Sequence, residues 1–127
     1  MKILLDTHTV IGLAVNSSAL SETAKQAIFD PDKESFVSIA SAWEVAIKIA
    51  TGKMGLDGGV SEFFRIVRKN NFQLLPIKEK HVKQVESLPL LHKDPFDRLL
   101  VASAITEGMG LITADANIHL YDVNSLW

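Results

Sequence analysis

Four carboxylates in this 127-residue chain stand where chemistry could be done: Asp6, Glu44, Asp97 and Asp115. Asp6 ends the apolar run Ile3-Leu4-Leu5, and Glu44 lies about one and a half turns into a strong helical pattern. Asp97 falls in the first turn of a helix opening on Asp94-Pro95, and Asp115 just follows the apolar run Leu111-Ile112. Two carboxylates ~5 Å apart repel by roughly 3 kcal/mol at an effective dielectric of 20. Several such pairs would rival a domain's whole stability of about 5–15 kcal/mol. A cluster of all four therefore demands protonation or a cation. Oxygen-only ligation suits the hard ions Mg²⁺ or Mn²⁺, one or two of them, which retain waters and leave room for phosphate oxygens.

Each acid also has a purely structural reading. Asp6 can cap the helix predicted over Thr9 to Val15. Ser41-Ala42-Trp43-Glu44 matches a capping box, or Glu44 can pair with Lys48 one turn on. Asp97 sits where a carboxylate complements the helix dipole, and Asp115 suits a turn. Asp94, directly before Pro95, is a natural N-cap and a less natural metal ligand. Thr7, Ser38, Ser41 and Thr113 are candidate donors behind the acids, with capping and turn roles open to each. Arg98 can neutralise a phosphate or pair with a nearby acid. His8 and His92 lie close to the acids, where a surface or hydrogen-bonded role is expected; His81 and His119 carry no signal. Lys48, Lys53, Arg65, Arg68 and Lys69 suit a phosphate-tracking rim or a solvated face.

The elements that must position these groups alternate between strand and helix. Unbroken apolar triplets such as Ile3-Leu4-Leu5 suit strands covered on both faces, as in a parallel sheet. Strands are predicted at residues 1–5, 35–38, 72–76 and 111–113, with a weak one over 121–126. Helices are predicted over 9–15, 20–29 (Ser21 as N-cap), 39–51, 60–69, 78–88, 94–107 and 116–120. In the 39–51 helix, Ile39, Trp43, Ala46, Ile47 and Ala50 share one face. This order implies a single α/β domain spanning 1–127, three-layered and Rossmann-like, with a mainly parallel sheet of four or five strands. In such sheets ligands bind beyond the carboxyl ends of the strands, and if the first and fourth strands are neighbours all four acids meet there.

Composition narrows the classes. Hydrophobic residues make up 47%, a globular value, and the absence of cysteine excludes disulfides and thiolate zinc sites. No apolar run approaches the ~18 residues of a membrane span, and the opening residues do not read as a secretory signal, so a cytoplasmic protein is expected. A net charge of −2 provides no global footprint for nucleic acid, so any contact would be local or metal-assisted. No G-x-G-x-x-G follows the first strand, which argues against a dinucleotide fold. His8 replaces the second aspartate of an aspartate-nucleophile phosphatase. Pro76-Ile77-Lys78 lacks a receiver domain's phospho-acceptor.

Four strings in order, residues 3–8 (ILLDTH), 37–48 (VSIASAWEVAIK), 92–100 (HKDPFDRLL) and 112–115 (ITAD), resemble PIN-domain proteins of the VapC toxin type. The resemblance covers essentially the whole chain. It implies a metal-dependent endoribonuclease acting on RNA, held inactive by a cognate antitoxin and often a homodimer. By position, Asp6, Glu44, Asp97 and Asp115 match the acidic metal-site residues of that family. The competing reading from another class is a PIN-fold module that acts through RNA or protein binding without cleaving.

Overall fold

The computed structural model describes residues 1–15 and 17–127. Its centre is a five-stranded parallel sheet of order β3-β2-β1-β4-β5. The strands are β1 (Lys2–Leu5), β2 (Glu34–Ser38), β3 (Gln73–Leu75), β4 (Gly110–Ile112) and β5 (Ser125–Leu126). The helices are α1 (Thr7–Val15), α2 (Glu22–Ile28), α3 (Ile39–Ala50), α4 (Gly59–Lys69), α5 (Glu79–Ser87) and α6 (Pro95–Glu107), with short 3-10 turns at Ser17–Ala19 and Ile118–Leu120.

Successive residues of β1 point to opposite faces and each face has its own core. Ile3 and Leu5 pack with Val10, Ala24, Val45 and Phe63 from α1 to α4. Leu4 packs with Phe36, Leu111 and the α6 side chains Leu100, Val101 and Ala104. Both faces are covered, so the apolar triplet needs no alternation, and the three-layer expectation holds.

Register does the positioning. Leu5 pairs with Val37 on one side and with Ile112 on the other. The next residue on each strand is polar: Asp6, Ser38 and Thr113. The carboxyl edge of the sheet therefore changes character in one step, from closed core to a row of oxygens.

Several local details differ from the sequence reading. The first helix begins at Thr7, two residues early, because Asp6 Oδ1 accepts the Thr9 N–H at 2.8 Å and caps it. Ser21 caps α2 as expected, through the Ala24 N–H. The cap of α3 is Ser38, accepting from the Ala40 N–H, so Ser41 and Glu44 form no capping box. The apolar stripe of α3 faces solvent: Trp43 is 59% exposed, with Ile39 and Ile47 also open. Buried instead are Ala40, Ser41, Ala42, Glu44 and Val45. This helix is apolar on nearly every face, so periodicity identified it without saying which face turned inward. Gly108 ends α6 with φ 67°, a left-handed geometry glycine adopts without a Cβ clash.

Candidate metal centre

Asp6 is 4% exposed, and both its oxygens are engaged. Besides the Thr9 contact, Oδ2 accepts a short hydrogen bond from the Thr113 hydroxyl. The Thr113 Oγ1 in turn accepts the Asp115 N–H at 3.0 Å, so one buried threonine ties the carboxylate after β1 to the residue after β4. Asp115 Oδ1 accepts the Asn117 N–H at 2.8 Å, the turn role anticipated for it. Asp6 and Asp115 open onto one cavity.

Glu44 is equally buried. The Thr7 hydroxyl donates to its Oε1 at 2.7 Å, and Lys48 Nζ reaches its Oε2 at 2.9 Å. The i,i+4 ion pair is therefore present. Lys48 is held above the usual lysine range, first by its hydrogen bond to Glu44 and further by the charges of Glu44, Asp94 and Asp97.

Asp94 accepts from the N–H groups of Phe96 (2.9 Å) and Asp97 (3.1 Å), the N-cap arrangement, with Pro95 opening the helix. Asp97 stands one step further in, its side chain 17% exposed. Burial pushes its carboxyl up to about 6, and the charges of Asp94, Asp115 and Glu44 push the same way; only the hydrogen bond from His92 opposes them. Asp97 thus feels the charges of Glu44, Asp94 and Asp115, and Asp115 shares its cavity with Asp6.

Behind Asp97 runs a hydrogen-bonded chain that the sequence did not reveal. Arg98 Nη1 donates to the Tyr121 hydroxyl at 3.0 Å, that hydroxyl lies 2.8 Å from His92 Nδ1, and His92 Nε2 lies 3.3 Å from Asp97 Oδ2. With the His92 proton on Nε2, Tyr121 donates to Nδ1 and Nε2–H faces the carboxylate, so that all three contacts are met. The rest of the Arg98 guanidinium donates to the carbonyls of Pro89, Val85 and Leu88. The sequence offers Arg98 as a phosphate neutraliser or a partner of an acid; its contacts here are with the Tyr121 hydroxyl and three carbonyls. It fastens the α5–α6 connection. Tyr121 lies 23 residues beyond Arg98, a separation at which no local pattern flags a partner.

Two of the expected basic rim residues are committed elsewhere, Lys48 to Glu44 and Arg65 to Glu62 at 2.5–3.0 Å. Lys53, Arg68 and Lys69 remain exposed. His8 is exposed beside Asp6. His81 and His119, without signal in the sequence, are both structural. His81 is fully buried, accepting the Lys78 N–H and contacting Glu107 at 2.7 Å. His119 bridges the Thr113 carbonyl and Ser125.

Among the described residues, no three His, Asp or Glu side chains are arranged to hold a metal ion as they stand. Their oxygens are turned toward Lys48, Thr7, Thr9 and Thr113. The donor set nevertheless fits a hard divalent ion. It is all oxygen, it carries like charge held together by burial, and it has an orphan: the Ser41 hydroxyl, 1% exposed, lacks a hydrogen-bond partner among the described residues. Ser41 is on the helix face of Glu44, one turn away. A buried hydroxyl left unpaired costs about 1–3 kcal/mol, and a hydrated cation at these acids brings waters that could satisfy it.

Residues 3–124 match the PIN domain family. No curated protein matches the chain. Solved structures similar to it include VapBC2 from Rickettsia felis bound to a fragment of its promoter DNA (TM-score 0.74, 14% identity, 99% of this chain and 98% of that one). VapBC-1 from nontypeable Haemophilus influenzae follows at TM-score 0.71 and 16% identity, covering 99% and 97%. A toxin–antitoxin complex from Klebsiella pneumoniae gives TM-score 0.65 and 18% identity, covering 98% and 96%. At these identities the likeness is one of fold.

Proposed function

Because the chain belongs to the PIN-domain family, we propose that it is a Mg²⁺- or Mn²⁺-dependent endoribonuclease, the toxin of a toxin–antitoxin pair. The observation that supports this reading is the gathering of acids at the carboxyl edge of the sheet, where burial first, and then the charges of Asp94, Asp115 and Glu44, raise the Asp97 carboxyl to about 6. Asp6, Glu44, Asp97 and Asp115 would hold one or two ions, directly or through water, with Asp94 left to its capping role. Such an ion, when bound, supplies an activated water for phosphodiester hydrolysis and screens the charge of the phosphate.

The chain's own residues do the rest. Thr113 and the Thr9 N–H fix the Asp6 carboxylate, and Thr7 fixes Glu44. The Tyr121–His92 pair fixes Asp97 against its neighbours' repulsion. Lys48 offsets part of the negative charge until a stronger cation takes its place. No serine or cysteine nucleophile is required.

The partner reading has separate support. Some of the similar structures are described as toxin–antitoxin systems, and α3 leaves Ile39, Trp43 and Ile47 open to water. A cognate antitoxin would cover this face, and a homodimer is the expected state of the toxin itself. No described helix is long and apolar enough to cross a membrane; the location proposed is the cytoplasm.

The test is direct. Purified protein is incubated with structured and single-stranded RNAs in Mg²⁺, Mn²⁺ or chelator. Cleavage that needs the metal and disappears in Asp6→Asn is the expected result. Cleavage surviving both chelator and Asp6→Asn overturns the mechanism. RNA binding without cleavage in any metal favours a non-catalytic module.

A further inference from the structure

Beside Asp6 and Asp115 lies a cavity of about 300 Å³, whose other walls are His8 and Thr9 of α1 and a largely apolar remainder: Gly12, Ala19, Leu20, Ala114 and the half-buried Trp127. No lysine or arginine lines it among the described residues. We infer that this cavity is a nucleobase subsite, in which a base of the RNA next to the scissile phosphate stacks on Trp127. The inference rests on the nuclease reading for the identity of its ligand.

Charge and shape select the occupant. Two of the lining residues, Asp6 and Asp115, are acids that disfavour an anion, so the phosphate itself does not enter unaided. An occupant that suits the apolar remainder of the lining is uncharged, and in a nuclease it lies beside a phosphate held near those acids. In a ribonucleotide that part is the base. The volume is at the small end of ligand pockets, about 300–1,000 Å³, enough for one ring system. Single-stranded RNA is commonly held by stacking bases on aromatic side chains, an interaction tolerant of sequence because every base has a π-face. Trp127 also packs against the core on the α1–α4 side of the sheet, so the indole is held in place before any ligand arrives.

Gly12 adds an independent observation. Glycine is disfavoured inside a helix relative to alanine, and Gly12 lies within α1. A Cβ built there would stand 2.9 Å from Leu20 Cδ1, and Leu20 is another wall of the same cavity. Gly12 thus lets Leu20 lie back against the helix. With alanine at position 12 Leu20 must move, and the open space beside it is the cavity.

The experiment uses the two indoles. Trp43 lies on α3, outside this cavity, so Trp43→Phe leaves Trp127 as the sole tryptophan reporter. In Trp43→Phe/Asp97→Asn protein, made to bind without cleaving, short single-stranded homopolymers of A, C, G and U are titrated in Mg²⁺. Quenching of Trp127 fluorescence by all four, strongest for the purines, is expected. In the otherwise unaltered enzyme, Trp127→Leu is expected to raise KM about 5-fold or more with kcat little changed, as loss of one stacked base implies. Gly12→Ala, which keeps the indole, is expected to raise KM in the same direction. Absence of quenching overturns the subsite whether or not the RNA is cut. An unchanged KM in both Trp127→Leu and Gly12→Ala overturns it equally. Quenching without cleavage by the unaltered protein refutes the nuclease reading and leaves the subsite standing.

Discussion

Replacing Asp97 by asparagine should stabilise the metal-free protein. The carboxyl is raised from 3.8 to about 6 by burial and by Asp94, Asp115 and Glu44. A group whose folded pKa exceeds its unfolded value binds more protons in the native state, so stability falls as pH rises between the two values. Two units correspond to about 3 kcal/mol, a penalty absent below about pH 4 and complete above about pH 7. Asparagine removes that penalty but returns part of it. It weakens the contact with His92, and it loses the interaction of a charge with the N-terminal end of α6, about 0.3–1 kcal/mol. A net gain of about 1–2 kcal/mol at pH 7 remains, or about 3–10 °C in Tm for a domain of this size. The assay is thermal unfolding of both proteins in chelator from pH 4 to pH 8, repeated with excess Mg²⁺. The variant should melt higher at pH 7, the gap should close toward pH 4, and Mg²⁺ should raise the parent protein's Tm more than the variant's. A variant that melts lower at pH 7 in chelator would refute the reasoning and leave Asp97 as a helix-dipole residue.

Two further outcomes separate structural from chemical roles. Asp94→Ala removes the acceptor for the Phe96 and Asp97 N–H groups and, with it, one of the charges that raise Asp97; the lost cap outweighs that relief, and stability should fall by up to about 2 kcal/mol in chelator and in Mg²⁺ alike. A loss appearing only in Mg²⁺ would assign Asp94 to the metal instead. At the far end of α6, burial works to raise the Glu107 carboxyl, but hydrogen bonds from His81, Lys78 and Lys80 outweigh it and hold the group at about 2. Because that pKa is depressed, its stabilisation is present above the unfolded value near 4.5 and is lost as pH falls toward 2. Glu107→Gln should therefore cost stability at pH 7 and much less near pH 2, read by denaturant unfolding at the two pH values. An equal loss at both would mean that packing, not charge, holds α5 to α6 there.

What the amino-acid order determined by itself was local. Ile3-Leu4-Leu5 reads as a strand covered on both faces because each face of β1 meets its own core. Asp94-Pro95 reads as a helix start because an acid can cap and proline has no N–H to lose. The alternation of such elements implied a parallel sheet, and hence an edge at which acids could collect. Tertiary structure alone decided how each side chain is used. Nothing along the chain marked the α3 stripe of Ile39, Trp43 and Ile47 as the exposed one: the face that turns inward carries Ser41 and Glu44 beside its alanines and Val45, and Trp43 came out facing water. Local spacing offered Glu44 as a partner for Lys48, and the structure forms that pair; it did not single out Arg65, held by Glu62, from Arg68 and Lys69 on the same helix. The ties that orient the acids, Thr113 to Asp6 and Tyr121 through His92 to Asp97, join residues 107 and 29 apart for their long-range steps. A hydrogen bond depends on distance and angle in space, which strand register and helix packing create; the order of residues fixes only which partners are available.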